Sequence, residues 1–153
     1  MAKLTASDAA ENDYFGFDVA IDGNTIVVGA RGKNSDTGAV YIFRTDDGSA
    51  TYGQVAKLTA SDATNSDYFG RSVAIDGDTV VVGAYYDDDG GSASGSAYVF
   101  RTSDGGATYG QVAKLTAADA AAYDEFGVSV AIDGDTIVTV SYTHLTLPTI
   151  LLV

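Results

Sequence analysis

The chemistry this sequence could perform is carried almost entirely by carboxylates. Asp87, Asp88 and Asp89 stand together ahead of Gly90 and Gly91, and three carboxylates in a glycine-rich loop can converge on one hard cation. We read Asp87, Asp88 and Asp89 as the candidate metal ligands, with Ca²⁺ as the ion; a solvated variable loop is the competing reading. Asp13, Asp67 and Asp124 each precede a phenylalanine (Phe15, Phe69, Phe126) by two residues. Paired carboxylates can hydrolyse a glycosidic bond, but that reaction needs two groups at one defined separation. Acids that return at a fixed period suit a structural task, such as accepting backbone N–H groups where the chain enters a strand. Tyr85 and Tyr86 flank the acidic loop and do not recur, which makes them the candidate ligand-binding residues. The single histidine, His144, offers no triad, metal cluster or partnered general base. No glycine run opens a helix to cradle phosphate. The reading is therefore of a chain with no catalytic residue and no enzymatic activity.

The elements that must position these residues follow from a repeat. Residues 2–55 return as 56–112 and again from Ala113 until the pattern lapses near Val138. The blocks AKLTASDAAENDYFG, AKLTASDATNSDYFG and AKLTAADAAAYDEFG align without gaps. The first two units differ in length in one loop only, Arg31–Gly38 against the longer Tyr85–Gly95. Within the second unit we read four strands. Phe69 to Ile75 alternates bulky and small residues; Asp76-Gly77 then supplies a two-residue hairpin turn. Thr79 to Ala84 is a continuous apolar run, expected to be buried on both faces. Ala97 to Arg101 and Tyr109 to Ala117 complete the set. Four strands repeated at about 50 residues match a propeller blade, and the expected fold is all-β, with consecutive four-stranded antiparallel blades of an incomplete β-propeller. A β-sandwich of duplicated hairpins is the alternative. The divisions are 1–55 and 56–112 for two blade repeats, 113–138 for a partial third and 139–153 for a tail.

Composition bounds the partners. With 46% apolar residues the chain can bury a core, and its net charge of −13 repels nucleic acid phosphates and anionic lipid alike. Cationic partners or divalent metals fit that field better. There is no cysteine, so redox chemistry does not report a compartment, and no apolar stretch is long enough for a membrane-spanning helix.

Phe15-Gly16, Phe69-Gly70 and Phe126-Gly127, with Val28-Gly29-Ala30 and Val82-Gly83-Ala84, resemble the FG-GAP repeat of integrin α-subunit propellers and of large surface proteins of bacteria and algae. The resemblance implies an extracellular or cell-surface propeller that binds a protein or glycan ligand, completed by further blades of the parent chain. It implies equally well an accessory propeller of a secreted hydrolase, or a structural spacer. Ca²⁺-binding blades of that family carry an acidic loop between their first two strands. Here that connection is only Asp22-Gly23-Asn24, Asp76-Gly77-Asp78 and Asp133-Gly134-Asp135, and a two-residue turn cannot supply the six to eight oxygens Ca²⁺ takes. The proline that closes the GAP signature is replaced by Arg31 and Tyr85.

The ends depart from the repeat. From Thr139 the chain reads TVSYTHLTLPTI, which resembles the translation of a transposase adaptor used in sequencing libraries, so residues 139–153 are expected to be non-native. Met1 stands where Val55 and Val112 stand in the other units, as expected of an internal codon read as a start. Fewer than four blades leave terminal faces open, and Phe15, Phe17, Val19 and Ile21 are the side chains expected to be left bare.

Overall fold

A computed structural model of the chain describes residues 3–48, 51–142 and 149–152. Two four-stranded antiparallel sheets and the start of a third follow one another along the chain, as expected for blades of a β-propeller. The first blade comprises β1 (Phe15–Asp22), β2 (Thr25–Ala30), β3 (Ala39–Arg44) and β4 (Gly53–Leu58). The second comprises β5 (Ser72–Asp76), β6 (Thr79–Ala84), β7 (Ser96–Arg101) and β8 (Gly110–Leu115). In the third, β9 (Ser129–Asp133) pairs with β10 (Thr136–Ser141), and β11 (Thr149–Leu152) lies on the other edge of β10. Within each complete blade the strands pair in sequence order, so every connection is a hairpin. The sequence division at Val55 and Ala56 falls inside β4, because the repeating unit and the sheet are out of phase.

The hairpin turns form as their residues dictate. Asp76 pairs with Thr79 across a two-residue loop, and Gly77 takes the positive φ of +54° that such a turn requires. The second strand of each blade is its spine: β6 is buried at every position, which is why it reads as an unbroken apolar run.

One expectation is corrected. Phe69 to Ile75 is not a single alternating strand, because Tyr68 and Gly70 adopt positive φ and Arg71 N–H closes a turn onto Tyr68 O at 3.1 Å. Regular pairing starts at Ser72. The turn frees Phe69 to enter the core edge-on to Tyr98 and Phe100, at centroid distances of 5.6 and 5.9 Å. Past the turn the alternation holds. Val73 faces the first blade, within a core that includes Val27, Val40, Ile42, Val80 and Val82. Ala74 faces the third sheet, beside Val81, Phe126 and Val130.

The inner strands β1, β5 and β9 lie side by side, and their blades touch through backbone. A Cβ on Gly29 would overlap the carbonyl of Gly70, and one on Gly83 would overlap that of Gly127. The Phe-Gly of one blade thus seats on the Val-Gly-Ala of the blade before it, and the spacing of these glycines has a steric cause. Side chains tie the same seam. Asp18 Oδ2 accepts from Val73 N–H at 2.8 Å, Asp22 Oδ2 accepts from Gly77 N–H at 2.7 Å, and Asp76 repeats the latter contact on Gly134. The Asp-Gly pairs therefore do two things, turning their own hairpin and capping the next.

Candidate functional site

The loops at one end of the sheets carry the chemistry. There the β2–β3 connection meets the segment leading into β5, and Phe69 N–H donates to Thr37 O at 3.1 Å. The β6–β7 connection grips the segment before β9 in the same way, through Phe126 N–H on Ser94 O at 2.9 Å. The recurring acids build these lead-in segments. Asp13, Asp67 and Asp124 accept from the backbone N–H three residues earlier, on Ala10, Thr64 and Ala121, at 2.7, 2.6 and 2.8 Å. That is the structural task their periodicity implies, and it leaves the three acids in three separate turns.

The sequence-predicted metal ligands part company. Asp87 is buried and accepts from Ser96 Oγ at 3.0 Å and Tyr98 Oη at 2.8 Å. Asp89 converges with it, whereas Asp88 turns away to accept from Ala93 N–H at 2.7 Å. The third carboxylate at the cluster is Asp62, and the ligand oxygens of Asp62, Asp87 and Asp89 lie within 4.8 Å of one another. The ammonium of Lys114 stands among them, 2.6 Å from Asp62, 3.0 Å from Asp87 and 2.5 Å from Asp89. Burial works against that charge, but the hydrogen bonds to Asp62 and Asp89 outweigh it and hold the lysine pKa well above its ordinary value. Three monodentate carboxylates also fall short of the oxygens Ca²⁺ takes. The donor set fits a tethered ammonium, and it does not fit Ca²⁺ while Lys114 is in place.

Asp62 and Lys114 escaped the sequence reading, although both recur: Asp8 and Lys57 hold the same positions one repeat earlier, in the first blade. There Lys57 Nζ donates to Asp8 Oδ2 at 2.6 Å and Tyr41 Oη to Asp8 Oδ1 at 2.7 Å. The hydrogen bond from Lys57, then that from Tyr41, bring the Asp8 carboxyl down to about 2.

Tyr85 and Tyr86 lie in an aromatic cluster with two guanidinium groups. Their rings are 4.3 Å apart, and Tyr68 lies 5.5 Å from Tyr85 and 5.4 Å from Tyr86. Arg31 stands 4.4 Å from the Phe17 ring and 4.8 Å from that of Tyr14, and Arg71 stands 4.9 Å from the same Phe17. Tyr14, Phe17 and Tyr86 remain exposed. Arg31, Arg71 and Phe17 were not read as binding residues from sequence, since they come together only when the blades stack.

Met1 and His144 lie outside the described residues. Among the described residues no helix is long and apolar enough to cross a membrane. The FG-GAP repeat model matches residues 1–43, 52–100 and 109–144. No curated protein matches the chain.

Proposed function

The chain belongs to the FG-GAP repeat family, and from that premise we propose that it is a non-catalytic binding module, displayed outside the cell, whose blade-end loops engage a protein or glycan partner. One observation carries this reading. The repeats are nearly identical along their strands, yet their departures gather at one end of the sheets: Phe17 against Arg71 and Val128, and Arg31 against Tyr85. A constant scaffold with variable residues at a loop-bearing end is how sheet proteins host recognition. The recurring acids argue against catalysis, because each is engaged by the backbone of its own turn and no two of them face one another.

The test is retention on a defined array of secreted proteins and extracellular glycans, read as saturable binding by the immobilised chain. Saturable retention of at least one member supports the reading. Retention of none, by a chain whose circular dichroism shows folded β-sheet, overturns it.

A further inference from the structure

We propose that Arg31 and Arg71 form a carboxylate-recognition site for an acidic segment of a protein partner, an inference that rests on the binding-module reading and names the chemistry of its ligand. Charge placement is the starting point. In a chain of net charge −13, Lys33, Lys57 and Lys114 are each paired with carboxylates of their own blade. Among the described residues Arg31 and Arg71, like Lys3, Arg44 and Arg101, are in no ion pair, although acids outnumber bases more than twofold. The fold nevertheless brings these two together against one ring, Phe17, at 4.4 and 4.9 Å. Arg31 Nε is itself buried without a hydrogen-bond partner in the protein, which leaves the two terminal nitrogens of the guanidinium as the edge a carboxylate could take. A guanidinium packed against a ring keeps its N–H edge free, and that planar fork matches a carboxylate with two parallel hydrogen bonds.

The surroundings select the kind of partner. Tyrosine and arginine are the residues that dominate protein–protein hot spots, and Tyr14, Tyr68 and Tyr85 complete such a set around the pair. A sugar ring would want one flat aromatic face, but the rings here are inclined, by 42° between Tyr85 and Tyr86 and 74° between Tyr68 and Tyr86. The field of the whole chain repels every anion, but nucleic acid meets it with a run of phosphates, whereas a short segment with two carboxylates meets it with two charges. Beside Arg71 a cleft of about 340 Å³ runs between the inner strands, lined by Phe17, Asp18, Ser72, Val128 and Ser129 among others. Its one acid within the repeats, Asp18, is occupied by the N–H groups of Val73 and Val19.

The probe is a blocked pentapeptide with two carboxylates flanked by leucines, set against its amide isostere and against an oligogalacturonate. The readout is the arginine Nε–Hε resonances of the full chain, assigned with Arg31→Lys and Arg71→Lys. The diacid peptide should shift both resonances saturably, its amide should shift neither, and each lysine variant should weaken binding about tenfold. Both variants keep the charge and the aliphatic stem, so an unchanged backbone spectrum separates lost recognition from lost fold. Shifts produced by the oligogalacturonate alone would overturn the protein assignment, and shifts produced by none of the probes would overturn the site. Array partners whose binding survives both substitutions would sink this inference and leave the binding-module reading standing. An array with no partner at all would sink that reading itself.

Discussion

Three residues beyond the end of its second strand, the first blade places Lys33 and the second places Asp87, and both are buried. In the first blade Lys33 bonds Asp13 at 2.8 Å and Lys57 bonds Asp8 at 2.6 Å, so two acids meet two bases. In the second, Asp62, Asp87 and Asp89 meet Lys114 alone, and Asp67 bonds Thr64 instead. Asp67 is the equivalent of Asp13, and without a lysine its pKa is pushed up, chiefly by burial, with the charges of Asp87 and Asp62 adding to the rise against the hydrogen bonds from Thr64. A scaffold that tolerates opposite charges at one position is held by its strands and backbone seams, and its loop ends are free to differ.

The sharpest way to break that comparison is to remove equivalent lysines. Among the described residues Lys114 is the one ammonium paired with Asp87, a carboxylate with 4% of its side chain exposed. Taking away one partner of a buried ion pair costs about 3–5 kcal/mol, and Lys114→Met should lower the chain's stability by an amount in that range. Lys57 and its partner Asp8 are 31% and 42% exposed, and Asp8 keeps Lys33 at 3.6 Å. Lys57→Met should therefore cost no more than about 1 kcal/mol. Urea denaturation of the two variants measures both, and equal losses would show that the blades share one electrostatic design.

A second pair separates the blade faces. Val19 and Val73 occupy the same repeat position, yet Val73 is 5% exposed against the first blade and Val19 is 60% exposed. Val73→Ala should cost about 2 kcal/mol through transfer and cavity terms together, and Val19→Ala should stay within about 0.5 kcal/mol. A chain in which Val19→Ala was the costlier change would have its first blade face covered in solution. Phe15 differs from the expectation of a bare face, since its ring lies half-buried at 5.7 Å from Tyr41 and 6.0 Å from Phe43.

What could be read from the sequence divides along the same line. The blades were legible because one alternation and one Asp-Gly turn recur in every copy, so each unit corroborates the others. The turn at Tyr68 was hidden, since positive φ at a tyrosine leaves no compositional mark. The cation partners were hidden for another reason. Asp62 reaches Lys114 across 52 residues, and strand order alone does not say which loop end folds over which lysine. Asp88 stands apart from the two converging acids and accepts from Ala93 N–H, a placement that depends on the path of Gly90 to Ala93 and on no spacing rule.

Asp8 and Asp67 titrate in opposite senses. Asp8 has a folded pKa of about 2 against an ordinary 3.8, so its contribution is fully present above 3.8 and is lost as pH falls through about 2. Asp67 is shifted upward from 3.8. Its carboxylate is the form that folding penalises, and its contribution grows as pH falls through its folded value. Carboxyl ¹³C shifts should place the Asp8 midpoint well below that of Asp67, and coincident midpoints would show that burial without a lysine leaves Asp67 unperturbed.

The smallest expected effect is no effect at all. A divalent ion entering the Asp62, Asp87 and Asp89 cluster would meet an ammonium at 2.5–3.0 Å from every carboxylate, and like charges that close repel strongly in a partly buried site. The ion would have to expel Lys114 from its hydrogen bonds and still find most of its six to eight oxygens elsewhere. Ca²⁺ added to the intact chain should therefore leave the thermal melting midpoint where it is. A rise in that midpoint, absent with Mg²⁺, would mean that the loop opens far enough to exchange its built-in cation for a bound one, and that the second blade's surplus of acid is a working ion site.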